Sequence, residues 1–165
     1  AVRTAGYTIY MKTIRSLIAI LATTFAAGGI GSYFTYPSIP TWYAGLTKGP
    51  LNPPNWVFGP VWTTLYILMA VAAWRIWKKR TQPGGKRAFA LYVSHLFLNA
   101  YWSIAFFSLH DLTQAFAVLL VLWLSIFVMV VWFFRIDRIA GALMLPYLAW
   151  VTFAGYLNYT LMTLN

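Results

Sequence analysis

Residues 115–134 read AFAVLLVLWLSIFVMVVWFF, twenty consecutive positions that carry no charged side chain. About 20 apolar residues in a helix cross the hydrocarbon core of a bilayer, so this stretch predicts a membrane-spanning helix. The rest of the 165-residue chain has the same character, because 61% of its residues are hydrophobic and only 8% are charged. Soluble domains carry about 25% charged residues. The composition therefore predicts a membrane protein and excludes a large soluble domain.

Four further apolar runs flank this stretch. Together the five runs predict spanning helices at about 16–36, 57–77, 88–109, 115–134 and 139–162. The runs are continuous and much longer than the strands of about 10 residues that build transmembrane β-barrels. The predicted fold is therefore all-α, an integral membrane bundle of five transmembrane helices.

Two segments are predicted to lie outside these helices. Residues 1–15 look polar and irregular and are expected to form an N-terminal extension, in part artificial, before a five-helix domain at 16–165. Pro37 and Pro40 are expected to end the first helix. The proline-rich residues 37–56 are then expected to form a lid loop, because loops of this length are commonly functional.

The charge is strongly unbalanced, since 12 Lys and Arg stand against two Asp and the net charge is +10. A nucleic-acid-binding protein presents basic residues on a water-exposed face, whereas here they cluster between apolar runs. Membrane lipids with anionic headgroups are therefore the predicted partners, and nucleic acid is not. Eleven basic residues fall at one end of the predicted bundle, namely Arg3, Lys12, Arg15, Arg75, Lys78, Lys79, Arg80, Lys86, Arg87, Arg135 and Arg138. Lys48 alone falls at the other. The positive-inside rule therefore predicts a cytoplasmic membrane with the N-terminus inside and the C-terminus outside.

Conventional catalytic groups are scarce. The chain has no Cys, which excludes disulfides, iron–sulfur clusters and thiolate metal sites. Both acids, Asp111 and Asp137, fall in turns between helices, so a proton relay through carboxylates within the bilayer is not expected. Paired catalytic carboxylates, phosphate-binding glycine loops and Ser-His-Asp sets are missing in any credible spacing. Neither a metal site nor a required cofactor is predicted.

Aromatic and polar side chains recur on one face of three predicted helices. They are Phe58, Trp62, Tyr66 and Met69 on the second, Tyr92, His95, Asn99, Trp102 and Phe106 on the third, and Tyr147, Trp150, Ala154 and Asn158 on the fifth. Such stripes predict the wall of a pocket for a flat, mostly apolar ligand. Ordinary helix packing and interfacial aromatic belts produce the same pattern.

Two polar residues in the third stripe favour the pocket. His95 and Asn99 are expected to face the bundle interior, because an unsatisfied polar group in hydrocarbon costs several kcal/mol. The pattern leaves open whether their partners are other helices or a ligand. A role for His95 as a metal or haem ligand is disfavoured, since no second ligand-type residue lies one helical turn away. His110, at the end of the same helix, is expected to be a solvated loop residue.

Several spaced motifs occur in the lid and in three of the helices. They are Trp42-Tyr43, Leu46, Lys48, Pro50, Pro53-Pro54, Trp56 and Phe58, then Val61-Trp62, Leu65-Tyr66 and Met69, then Leu98-Asn99, Trp102 and Phe106-Phe107, and finally Pro146-Tyr147-Leu148, Trp150, Phe153-Ala154 and Leu157-Asn158. Over about residues 16–165 these motifs resemble the TspO/MBR family of tryptophan-rich sensory proteins, the bacterial relatives of the mitochondrial translocator protein, or peripheral benzodiazepine receptor.

The resemblance implies a five-helix bundle, commonly a homodimer, whose pocket is closed by the first loop. It implies porphyrins such as protoporphyrin IX as ligands, with benzodiazepine-type drugs and cholesterol in mitochondrial members. Together with the stripes, it implies ligand-binding roles for Tyr43, Phe58, Trp62, His95, Asn99, Trp102, Trp150, Ala154 and Asn158. Some bacterial members break down protoporphyrin photo-oxidatively with help from pocket tryptophans. If this chain shares that activity, Trp62 and Trp150 are the catalytic candidates.

The chain departs from the family pattern at three places. Lys48-Gly49-Pro50 stands where the family often has Lys-Pro, and His95 replaces a glutamine with a titratable ring. The cholesterol-recognition pattern requires a basic residue after Tyr159, which this chain lacks, so sterol binding is not expected.

Three functions remain open at this point. The first is a porphyrin-binding membrane protein that senses, sequesters or transports its ligand. The second is an enzyme that degrades porphyrin under light, using a tryptophan and no acid or base. The third is a small-molecule exporter. The sequence does not decide whether the chain is an enzyme.

Overall fold

The computed structural model describes residues 2–165, and for residues 2–10 and 12 it describes the backbone alone. The helices are α1 (Val2–Ser38), α2 (Phe58–Lys78), α3 (Gly85–Ser103), α4 (Leu112–Ile136) and α5 (Arg138–Leu164). A π-helical turn extends α1 over Ile39–Tyr43, another extends α3 over Ile104–Ser108, and a 3₁₀ turn at Asn55–Val57 precedes α2. In this part of the chain, five helices are long and apolar enough to cross a membrane, which confirms the predicted fold class.

The helices pack as a ring in the order α1, α2, α5, α4, α3 and back to α1, and α2 also contacts α3 across the ring. Apolar side chains fill the centre, including Met69, Tyr92, Ile126 and Tyr147, which are almost completely buried. The predicted stripe of α3 therefore faces inward. Since successive helices run in opposite directions, the ends of α2 and α4 lie with the starts of α1, α3 and α5. We call this the basic end, and the opposite one the lid end.

The first helix is longer than predicted at both ends. It is helical from Val2, so the prediction of an irregular segment over residues 1–15 is wrong from residue 2 onward. Pro37 and Pro40 do not end it, because the chain widens into a π-helical turn. A proline removes one backbone donor and crowds the preceding turn, and π-helical widening accommodates both effects. Consequently the irregular part of the lid covers only residues 46–54, not 37–56.

The two acids cap helices. The Asp111 side chain accepts a hydrogen bond from the Gln114 backbone N–H (2.8 Å), and so α4 begins at Leu112, three residues before the predicted start. The Asp137 side chain accepts one from the Ala140 N–H (3.0 Å) at the start of α5. Both side chains satisfy donors that a helix N-terminus otherwise leaves unpaired. The turn placement predicted for both acids is confirmed.

Asp137 also anchors α2. Its carboxylate accepts hydrogen bonds from Arg75 Nε (3.1 Å) and Nη2 (3.0 Å), and Lys79 Nζ lies 2.9 Å away. The Asp137 side chain is only 3% exposed. Burial alone raises the pKa of this carboxyl, but the hydrogen bonds from Arg75, Lys79 and the Ala140 N–H outweigh it and hold the pKa well below its usual range. The basic end is thus held together by a buried anion between partly exposed cations.

Two glycines of α1 set how closely it approaches its neighbours. A β-carbon at Gly28 would overlap the Tyr66 ring of α2, and one at Gly31 would lie 2.9 Å from Ser103 Oγ of α3. Small residues allow such close approach in lipid, where packing contacts drive helix association. These two glycines are used within the bundle, so they are not available to a second copy, and the homodimer implied by the resemblance stays a prediction.

Candidate functional site

Asn99 joins three helices at the centre of the bundle. Its Nδ2 donates to the Tyr147 hydroxyl of α5 (3.1 Å), and its Oδ1 accepts from the Tyr66 hydroxyl of α2 (2.9 Å). The amide is therefore fixed in orientation and satisfied on both sides. The sequence left open whether Asn99 bonds to other helices or to a ligand. In the structure its partners are side chains of two other helices.

Asn158 makes a second junction closer to the lid end. Its Oδ1 accepts from the Trp102 indole N–H of α3 (3.2 Å), and its Nδ2 donates to the Leu112 carbonyl of α4 (3.0 Å). Asn158 is 1% exposed. An unpaired buried amide costs about 1–3 kcal/mol, so these bonds hold α3, α4 and α5 in register.

The predicted tryptophans surround these amides. The Trp62 ring centroid lies 5.5 Å from that of Tyr66 and 6.2 Å from that of Tyr147. Trp150 lies further out, 6.0 Å from Phe58. Trp62, Trp102, Trp150 and Ala154 are partly buried and pack against the main core.

His95 faces inward, as predicted. Its side chain is fully buried, with its ring centroid 5.0 Å from that of Tyr92 and 5.8 Å from that of Tyr147. Its Nδ1 contacts the Tyr92 carbonyl, and its Nε2 has no hydrogen-bond partner among the residues that the structure describes.

Tyr43 belongs to a smaller cluster under the lid. Its ring packs against Phe106 (6.2 Å) and Phe107 (5.9 Å), and its hydroxyl donates to Asn52 Oδ1 (3.0 Å). Trp102 packs against both this cluster and the main core. Tyr43 is therefore connected to the other predicted site residues through Trp102.

The lid is fastened by contacts that the sequence did not reveal. The Asn165 side chain pairs with the Thr47 backbone, accepting from its N–H (2.9 Å) and donating to its carbonyl (3.1 Å). The Trp42 and His110 rings stack with their centroids 4.3 Å apart. His110 is exposed, as expected for a solvated loop residue, but the prediction did not include this stacking partner. Lys48 Nζ donates to the carbonyls of Tyr43 (2.6 Å) and Leu46 (3.1 Å).

A groove of about 520 Å³ opens on the outer side of the bundle between α2 and α5. Pro60, Leu65, Pro146, Trp150 and Phe153 are among the residues that line it. Of the predicted ligand-binding residues, Trp150 lines this groove. The arrangement offers aromatic faces for stacking and amide groups for orientation, with no carboxylate among the predicted residues.

The chain is similar to known proteins over most of its length. A model of the TspO/MBR family matches residues 19–164. The chain is 37% identical over 155 residues to the tryptophan-rich protein TspO of Archaeoglobus fulgidus, covering 94% of this chain and 97% of that protein. It is 41% identical over 124 residues to the tryptophan-rich sensory protein of Cereibacter sphaeroides, covering 75% and 77%. It is 36% identical over 137 residues to the translocator protein of Homo sapiens, covering 79% and 78%.

The matched residues include the lid, both amide junctions, α1 from residue 19 onward and all of α2 to α5. The protein is thus a multi-pass integral membrane protein. From its motifs, its five-helix bundle and its relatives alike, the chain belongs to the TspO/MBR family.

Proposed function

We propose that this protein binds a flat, mostly apolar tetrapyrrole such as protoporphyrin IX and acts in its sensing, sequestration or transport. The observation that carries this proposal is the position of Trp62 and Trp102 beside two fixed amides, with Trp150 at the groove between α2 and α5. The names of the relatives, a sensory protein and a translocator protein, support a sensory or transport role in a membrane. No other cofactor is required by the proposal.

The groove between α2 and α5 is the proposed entrance. Ligand pockets of about 300–1,000 Å³ hold drug-sized molecules, and this groove of about 520 Å³ falls within that range. It opens towards the bilayer, where an apolar porphyrin partitions. Stacking on Trp150 and Phe153 would hold the macrocycle. The amides of Asn99 and Asn158 would orient it only after exchanging a present partner.

Lys48 is the proposed partner of a porphyrin propionate at the lid end. Its ammonium now donates to backbone carbonyls at the end of the extended α1 and lies 4.6 Å from the Tyr43 ring centroid. A propionate would replace these acceptors with a charged one, which makes a stronger hydrogen bond. Ligand binding is therefore expected to release Lys48 from the lid backbone.

Protoporphyrin IX is expected to bind saturably to the detergent-purified protein and to quench its tryptophan fluorescence. Trp150→Leu is expected to weaken binding about three- to ten-fold, because leucine removes an aromatic pair that contributes about 0.5–1.5 kcal/mol beyond area burial. An absorbance and fluorescence titration measures both effects. Trp123→Leu on α4, whose native ring stacks on Phe127, is the matched control and should bind normally. Absence of saturable binding, or equal weakening by both variants, contradicts the proposal.

A second candidate function is light-dependent oxidation of the bound porphyrin by dioxygen, with an indole as electron or radical donor. The position of Trp62 favours it, because two phenols, Tyr66 and Tyr147, lie beside the indole and are linked through Asn99. Phenols and indoles exchange electrons and protons without a general base. Trp150 is the second donor candidate, at the groove.

Under illumination, the enzyme hypothesis expects the porphyrin absorbance bands to disappear and a product spectrum to form. Trp62→Phe is expected to abolish this turnover while porphyrin affinity changes less than ten-fold, because a phenyl ring still stacks but is a poor electron donor. The illuminated and dark samples are followed by absorbance beside Trp123→Phe. Turnover in Trp62→Phe equal to the parent would exclude Trp62 as the donor, and a spectrum stable beyond free porphyrin would favour a binder or sensor.

The membrane orientation is part of the proposal. The concentration of Lys and Arg at the basic end supports a cytoplasmic N-terminus, an outward-facing lid and a bacterial cytoplasmic membrane. We also propose a homodimer, whose interface would use residues other than Gly28 and Gly31. Cholesterol is not proposed as a ligand.

A further inference from the structure

A second groove, of about 260 Å³, runs along the outside of the bundle between α1 and α3. Ala19 and Ile20 of α1 form one wall, Phe89 and Val93 of α3 form the other, and Trp77 of α2 closes it towards the basic end. The groove is separate from the one between α2 and α5 and shares no lining residue with it.

The shape of this groove suits a single hydrocarbon chain. It extends along α1 from Ser16 to Thr23, about 10 Å at the helical rise of 1.5 Å per residue. Its volume is below the range of about 300–1,000 Å³ that is typical of ligand pockets. An apolar groove of this small volume, about 10 Å long, matches part of a lipid acyl chain better than a ring system.

Cations surround the end of the groove that lies at the basic end. The Arg80 guanidinium carbon lies 4.4 Å from the centroid of the Trp77 ring that closes the groove. Lys86 precedes Phe89 by three residues and Arg15 precedes Ala19 by four, and such spacings place side chains on the same helix face. All three cations are exposed.

No acid offsets these cations. The chain has two acids, of which Asp111 caps α4 at the lid end and Asp137 is engaged with Arg75 and Lys79. A positive cluster directly at the mouth of an acyl-sized groove has the layout that an anionic headgroup and its attached chain require.

We propose that the groove between α1 and α3 binds one anionic phospholipid from the leaflet at the basic end. One acyl chain lies along Ala19, Ile20 and Val93, and the phosphate-bearing headgroup contacts Arg15, Arg80 and Lys86. This is a lipid site in addition to the proposed porphyrin site, and it does not depend on it.

The test is native mass spectrometry of the full chain in a nonionic detergent, titrated with phosphatidylglycerol or with phosphatidylcholine of the same acyl chains. The parent protein is expected to bind the first phosphatidylglycerol at least ten-fold more tightly than phosphatidylcholine. The Arg80→Gln/Lys86→Gln double variant is expected to bind phosphatidylglycerol roughly 25-fold more weakly, because each charge near the surface contributes about 1 kcal/mol, or about five-fold.

Two matched controls separate this site from general attraction by the positive charge. Arg138→Gln removes an exposed cation at the basic end from α5, which does not border the groove, and should bind as the parent does. Ala19→Phe fills the groove with all charges retained and should weaken binding at least five-fold. Ile18→Phe should not, because Ile18 is exposed on another face of α1 and does not line the groove. Equal affinity for the two lipids, an equal loss in Arg138→Gln, or unchanged binding in Ala19→Phe would overturn the proposal. Thermal melting of each variant checks that it is folded.

Discussion

Asp137→Asn is expected to lower the free energy of unfolding by about 2–3 kcal/mol. Breaking a buried ion pair typically costs about 3–5 kcal/mol. We expect a smaller loss here because the Arg75 and Lys79 side chains are 27% and 38% exposed and can turn to headgroups or water. Asparagine keeps the helix cap, since it caps about as well as aspartate. Denaturation in mixed micelles at neutral pH measures the loss.

Asp111→Asn is the matched control for this substitution. Asp111 also caps a helix, at the lid end, but it makes no ion pair among the described residues. Its replacement removes only the attraction between a charge and a helix terminus, which contributes about 0.3–1 kcal/mol. Equal destabilisation by the two variants would show that the ion pairs of Asp137 add nothing.

The stabilisation by Asp137 should also depend on pH with a definite sign. Its pKa is lower in the folded protein than the ordinary value of about 4, so its contribution is complete above that value and is lost as the pH falls below it towards the lower pKa of the folded state. The stability difference between the parent and Asp137→Asn should therefore shrink on acidification. A difference that grows as the pH falls would contradict the assignment.

Gly28→Ala is expected to destabilise the protein by about 1–3 kcal/mol and to disturb the candidate site. The new β-carbon overlaps the Tyr66 ring, which is enclosed by Phe25 (5.9 Å) and Trp62 (5.5 Å). Tyr66 must shift, and its hydrogen bond to Asn99 is then stretched or lost. The midpoint of thermal unfolding and the protoporphyrin IX affinity should both fall.

The neighbouring Gly29 provides the control for this prediction. A β-carbon at Gly29 meets no atom within 4 Å. Gly29→Ala should therefore be neutral or slightly stabilising, because alanine favours helix by about 1 kcal/mol over glycine. If both variants melt like the parent, the contact between Gly28 and Tyr66 does not constrain the bundle.

The sequence predicted the helices well because their apolar runs are continuous and their polar residues are few. Asn99 and Asn158 could be assigned to the interior on energetic grounds, since hydrocarbon leaves no alternative for an amide. Their partners could not be assigned, because Tyr66, Tyr147 and Trp102 offered equally plausible roles as ligand contacts. A single sequence does not distinguish a polar group that binds a helix from one that awaits a ligand.

The lid was the least predictable part. Prolines such as those at 37 and 40 usually end a helix. The widened turn at Ile39–Tyr43 depends instead on tertiary contacts, including the hydrogen bond from Ser38 Oγ to the Phe107 carbonyl (2.6 Å). The pairing of Thr47 with Asn165 joins residues 118 positions apart, and no local pattern indicates it. The stacking of His110 on Trp42 also joins distant residues, so the sequence alone indicated only a loop residue at position 110.

The ring order of the helices has a consequence for synthesis in the cell. The contact between α2 and α5 joins helices that are far apart in the chain, with Arg75 and Asp137 separated by 62 positions. During translation α2 enters the membrane well before α5 exists, so its α5-facing side is first solvated by lipid. Val61, Leu65 and Leu68 on that side are apolar, so their exposure to lipid before α5 inserts has little free-energy cost. Insertion of the α4–α5 hairpin then closes the ring, and it brings the Asp137 carboxylate in the turn of that hairpin to Arg75 and Lys79.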